Sequence, residues 1–320
     1  MNRVRLHSGV RVILAGWVLA LAAVCLAQDP VDDPQEACAA SHLKQSVVVG
    51  RYTFKTYRSG DYDANNCLKV IENGKVIFRR TLDSMQGYTL GQPEDKKWKV
   101  PGIPNGTDIT GRGRPNMIVQ FYIGGAHCCN FHYIFELEPA FKLVQTLDMR
   151  DTDNAYFAEL DGNHQYYFIA EDWTFAYWPG PFSGSPFHSV VLKFVDDKDG
   201  GAYHLALDKM KKPLPTQEEW EKALKDVGRE QHLEDTGWAN GLETYLWQEV
   251  LDLLYTGHSD LAWKFLDETR SKAKKKEKFD PEGFCSVLKA SPYWPDLAPS
   301  IQNMPPACAK ATPDRQQMAR

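Results

Sequence analysis

Along the first two thirds of the chain the apolar residues fall in short runs. Along the last third they recur every three or four positions. Val47, Val48, Val49, Tyr52, Phe54 and Tyr57 form a β-branched and aromatic run of the kind that suits a pleated, half-buried surface. Residues 68–71 and 75–79 flank Glu72-Asn73-Gly74, and Asn-Gly is the strongest short hairpin signal. Residues 117–123 (MIVQFYI), 132–137 (HYIFEL) and 166–170 (YYFIA) read as further strands. Residues 189–195 pair with residues 202–207 across Asp199-Gly200-Gly201. Short strands with turns at this spacing predict an antiparallel all-β domain over residues 46–210, a meander or a propeller-like array.

Beyond residue 210 the period changes. Thr216 and Glu219 have capping-box spacing and precede Trp220, Ala223, Leu224 and Val227. Leu242, Tyr245, Leu246, Val250, Leu253 and Leu254 make a second helical stripe, with Gly257 as its stop. Ser259 caps a third helix through Leu261, Ala262, Phe265 and Leu266. Asp280-Pro281 opens a fourth through Phe284, Val287 and Leu288. A small α-helical domain is expected over residues 211–291, followed by an irregular Pro-rich tail over 292–320. The fold class read from the pattern is therefore α+β, strands first.

The amino end carries a different signal. Arg3, Arg5 and Arg11 precede an apolar, uncharged stretch at residues 12–26, and Cys25 and Ala27 give small-x-small spacing. That is the form of a signal peptide over residues 1–27, with an acidic flexible leader over 28–45. The apolar run is short of the ~20 residues of a membrane span. No later stretch is apolar enough to span, so a periplasmic or secreted location is expected. Removing Cys25 leaves Cys38, Cys67, Cys128, Cys129, Cys285 and Cys308, an even set that predicts disulfides in an oxidising compartment. Cys285 and Cys308 bracket a short segment and are expected to pair. Cys67 is expected to join Cys128 or Cys129, with Cys38 taking the other, because a bridge between adjacent cysteines needs a strained ring. A net charge of -5 gives no case for nucleic acid or for an anionic membrane surface.

Two segments look alike. Asp108-Ile109-Thr110-Gly111-Arg112-Gly113 leads into the strand at 117, and Glu159-Leu160-Asp161-Gly162-Asn163-His164-Gln165 leads into the strand at 166. Both resemble the loop of integrin-type FG-GAP/VCBS repeats, which reads roughly D-x-D/T-G-D-G-x-x-D. The resemblance implies propeller-type packing and Ca²⁺ ligated by alternating oxygens. Both copies depart from it. Arg112 takes the fifth position of the first, where a guanidinium cannot ligate a cation but can set its own charge among the loop oxygens. Tyr167 takes the place of the last carboxylate of the second. The candidate Ca²⁺ ligands are therefore Glu159, Asp161 and Asn163.

Three other groups could carry chemistry. His127, Cys128, Cys129 and His132 crowd soft ligands together, but strand alternation divides them between two faces, which favours a structural, disulfide role over a metal site. Asp161, Glu171 and Asp172 are the carboxylates for a polysaccharide- or cell-wall-directed hydrolase. Trp173, Phe175 and Tyr177 would share one side of a strand and could stack a glycan or a peptide. No G-x-S-x-G, Walker loop or H-E-x-x-H occurs. The reading that results is an exported, non-catalytic binding or scaffold protein, its partner an extracellular protein or glycan.

Overall fold

The computed structural model describes residues 38, 42–60, 64–125, 129–152, 154–198, 200–235, 244–272 and 279–314. The signal-like segment at 1–27 and most of the leader lie outside the described residues. Among those described, twelve strands form three four-stranded antiparallel meanders. The first holds β1 (His42–Val49), β2 (Tyr52–Arg58), β3 (Ala64–Glu72) and β4 (Lys75–Ser84). The second holds β5 (Gly87–Leu90), β6 (Asn116–Tyr122), β7 (Asn130–Glu136) and β8 (Lys142–Arg150). The third holds β9 (Tyr156–Glu159), β10 (Tyr166–Asp172), β11 (His188–Val195) and β12 (Ala202–Leu205). Helices follow: α1 (Leu207–Met210), α2 (Gln217–Asp235), α3 (Thr244–Tyr255), α4 (Ser259–Lys272), α5 (Pro281–Ala290), α6 (Trp294–Leu297) and α7 (Pro306–Lys310). The protein is thus mixed α+β with antiparallel sheets, and β1 starts inside the segment read as leader.

The middle meander explains the unbroken apolar runs of β6 and β7. Met117, Val119, Phe121, Tyr133 and Phe135 face the first meander, meeting Tyr52, Phe54, Leu68 and Val70. Ile118, Ile134 and Leu147, from the opposite face, join Phe157, Phe168, Val190 and Leu192 of the third meander. A strand buried on both faces loses alternation. The second cluster continues into Leu246, Val250 and Leu254 of α3, Phe265 of α4 and Phe284 of α5, so sheet and helices share one core. At the β3–β4 turn Asn73 and Gly74 have φ of 50° and 77°, as the Asn-Gly hairpin requires.

Three sequence expectations are corrected. Residues 292–314 are irregular only in part: α6 and α7 form within them, with Asp296 accepting from the Leu205 amide at 3.0 Å and the Trp263 indole donating to the Gln302 carbonyl at 2.9 Å. Cys67 pairs with Cys38, not with Cys128 or Cys129, because Cys38 lies over the outer face of β3 at a Cα separation of 5.7 Å. Cys285 pairs with Cys308 as expected, joining α5 to α7. Finally, β10 ends at Asp172, so residues 173–177 form a turn and not a strand. Asp172 itself ends the strand, its carboxylate accepting from the Thr174 amide at 2.9 Å and from the Thr174 hydroxyl.

Candidate functional site

Both loops singled out in the sequence lead from the first to the second strand of a meander, and both border one open cleft of about 760 Å³. In the first loop the Asp108 carboxylate is ringed by donors. It accepts from the amides of Thr110 at 3.2 Å, Gly111 at 2.9 Å, Arg112 at 3.3 Å and Gly113 at 2.5 Å. Gly111 and Gly113, at φ of 75° and 70°, let the backbone coil around it. Asn116 holds the base of the loop, its side-chain oxygen accepting from the Ile109 amide at 2.9 Å.

Arg112 does not settle among the loop's own oxygens. Its side chain, 9% exposed, crosses to the next layer. It pairs at 2.5 Å with Glu136, at the end of β7 in its own meander, and across the layer it donates to the Gly200 carbonyl at 2.8 Å. Its guanidinium lies 4.7 Å from the Phe194 ring centroid. Arg114 reaches the same Glu136 at 2.9 Å. Glu136 is 4% exposed, so two cations neutralise one buried carboxylate.

The second loop uses its oxygens internally too. Glu159 accepts from the His164 amide at 2.5 Å and Asn163 from the Gln165 amide at 3.0 Å. Asp161 pairs with the Lys209 ammonium of α1 at 2.5 Å and accepts from the Tyr167 hydroxyl at 2.6 Å. The Lys209 hydrogen bond, with that from Tyr167, holds the Asp161 carboxyl below the usual range. An ammonium on Asp161 and amides on Glu159 and Asn163 do not make a set of oxygens turned toward one shared cation, so the donor set does not fit Ca²⁺. Among the described residues no group of three or more His, Cys, Asp or Glu is arranged around a metal position.

The remaining candidates do not converge. His127 and Cys128 lie outside the described residues. Cys129 is disulfide-bonded. His132 points from β7 into the core, edge-on to Phe168 at 5.0 Å, and burial pushes it down to about 4. Glu171 accepts from the Trp173 indole at 2.8 Å. Asp172 is 4% exposed and takes the hydroxyls of Tyr255 at 2.6 Å and Ser291 at 2.7 Å, fastening β10 to the helices. Trp173 and Tyr177 both meet the Phe182 ring, and Phe175 turns away from them. Trp173 is stacked between Phe182 and Phe187, Phe175 is in the core against Phe284, and Tyr177 is exposed.

Sequence reasoning missed a second cleft, of about 430 Å³, between α2 and α3. Lys212, Lys222, Tyr245, Glu249 and Asp252 line it. Burial and the neighbouring Asp252 raise the Glu249 carboxyl. Asp252 pairs with Lys212 at 2.6 Å and lies 3.6 Å from His188 of β11. Lys222 and Asp226 of α2, and Tyr245, Glu249 and Asp252 of α3, have helical spacings that a sequence reading could have used; Lys212 and His188 arrive from other elements. No family model, curated protein or solved structure matches the chain.

Proposed function

We propose that the chain is an exported, non-catalytic binding or scaffold protein. Its recognition surface is the cleft between the loops at 108–113 and 159–165, and its partner is an extracellular protein or glycan. One observation carries this reading: the charged groups in and beside the two loops that form the rim already have fixed internal partners, Arg112 and Arg114 on Glu136 and Asp161 on Lys209. Such a rim is a rigid polar frame, in place of an acid and a base free to exchange protons. The FG-GAP/VCBS-like reading belongs to the same proposal, with backbone amides around Asp108 and the Lys209 ammonium on Asp161 as the positive partners at loops of that form. The Cys38–Cys67 and Cys285–Cys308 disulfides, and the lack among the described residues of a helix long and apolar enough to cross a membrane, are compatible with a periplasmic or secreted protein.

The test is a glycan array probed with the exported, purified protein and with a His164→Asn/Gln165→Ala variant, both positions lining the cleft. The expected result is a defined set of bound glycans, with affinity about tenfold lower in the variant, at an unchanged melting temperature. Ca²⁺ and chelator should leave that temperature unmoved; a rise with Ca²⁺ would restore the metal loop. A second reading rests on the raised Glu249 carboxyl beside Asp252: a polysaccharide- or cell-wall-directed hydrolase working in the helical cleft. Release of soluble sugar from cell-wall polymer, abolished in Glu249→Gln, would replace the first reading with this one.

A further inference from the structure

The outer face of the first meander carries a row of like charges. Lys55 of β2 stands opposite Lys69 of β3, and Lys69 stands opposite Arg79 of β4. Phe54, Leu68, Val70 and Phe78 point the other way, into the core, so the three cations share the outward face. Among the described residues no carboxylate pairs with any of them. Lys69 rests over the Tyr57 ring at 4.9 Å. Burial, and after it the charges of Arg79 and Lys55, lower its ammonium. Like charges held directly opposite one another oppose sheet formation. Strands about 4.8 Å apart place the three within about 10 Å.

Beside this row lies another, Val48, Thr53, Ile71 and Val76, paired strand to strand. Val48 is 68% exposed, and Val76 and the bulged Ile77 are 44% and 39% exposed. Leu43, also on β1, is 53% exposed. The face is therefore cationic and aliphatic at once. It is a sheet surface away from both clefts, and a sheet surface suits a planar array of charge better than a chain that needs a groove. Cys38 is fastened to the same face through Cys67, so the chain joins the fold on this side.

The geometry points to a docking surface for a bilayer bearing anionic phosphate headgroups. Lys55, Lys69 and Arg79 meet the phosphates, while Val48, Val76 and Ile77 enter the interface between them. This goes beyond the binding cleft and shares no residue with it.

Flotation of the exported, purified chain with vesicles tests it. Binding is expected to phosphatidylcholine vesicles containing phosphatidylglycerol, not to phosphatidylcholine alone, and to fall with added salt. Lys55→Gln/Lys69→Gln/Arg79→Gln should lower partitioning by about fivefold per cation, on the order of a hundredfold in all. Its melting temperature should stay level or rise, since repulsion is removed. A Lys55→Arg/Lys69→Arg variant should bind as the parent does, and Val48→Ser/Val76→Ser should bind less while keeping the salt dependence. Equal binding to both vesicle types, or an unaffected triple variant, overturns the proposal. So does capture by a soluble anionic polysaccharide without any vesicle binding.

Discussion

His132 sits where a charge would be costly. Its ring lies among Phe157 and Phe168, and burial holds it neutral down to about pH 4, against an ordinary value near 6.5. The unfolded chain therefore takes up a proton between pH 6.5 and 4 that the folded chain refuses. Stability is complete above that window and falls as the pH drops through it, by about 3 kcal/mol at the bottom. His188 adds to the same slope, since burial lowers it despite the pull of Asp252 and Asp172. Urea midpoints measured from pH 7 to 4 should fall steadily, and His132→Phe should flatten part of that fall. An unchanged slope in the variant would mean the ring is not held neutral. Arg112 shows what one residue can hide. That a guanidinium stands at the fifth position of the loop was legible in the sequence, but its partner Glu136 could not be read there, because it comes from the far end of β7.

Elements with local signals were legible. Thr216 and Glu219 form the reciprocal cap that their spacing announces, and the Asp280 side chain accepts from the Gly283 amide at 2.8 Å. The short strands β5 and β9 were not, since four residues carry too little period to separate from turn. The aromatic run at 173–178 misled for a physical reason: β propensity there is overruled by Asp172, which turns the chain by capturing Thr174. The Pro-rich tail misled in the opposite direction. Its order comes from α5 through the Cys285–Cys308 bridge and from Lys289, whose ammonium donates to the carbonyls of Cys308 and Ala311. Opening that bridge with Cys285→Ser/Cys308→Ser should cost about 3 kcal/mol for a loop of 23 residues. Limited proteolysis should then cut first beyond residue 291. Cleavage elsewhere would show that the tail is held by packing alone.

On the scale of the whole molecule a repeated device joins the layers. Arg51, in the β1–β2 turn, reaches Glu138 and the Pro139 carbonyl in the β7–β8 turn, both at 3.1 Å. Arg112, before β6, reaches Asp196 and Gly200 at the β11–β12 turn. In each case the connection between first and second strands grips the connection between third and fourth strands of the next meander. The two arginines stand in unlike sequence surroundings, so the repeat is geometric and was invisible along the chain. They should differ in weight. Arg112→Met strands the buried Glu136 with one half-exposed partner and should cost about 3 kcal/mol in urea titrations. Arg51→Met, at an exposed pair, should barely move the midpoint. Equal losses would refute the distinction.

The middle meander has no water-facing side, and this limits how the chain can be shortened. Deleting β1–β4 would strip cover from the rings of Phe121, Tyr133 and Phe135, each worth roughly 150–250 Å² of contact surface. The layers look interchangeable, yet the first is a lid that its neighbour cannot do without. A fragment starting at β5 would be insoluble long before it reached the cleft it was meant to display.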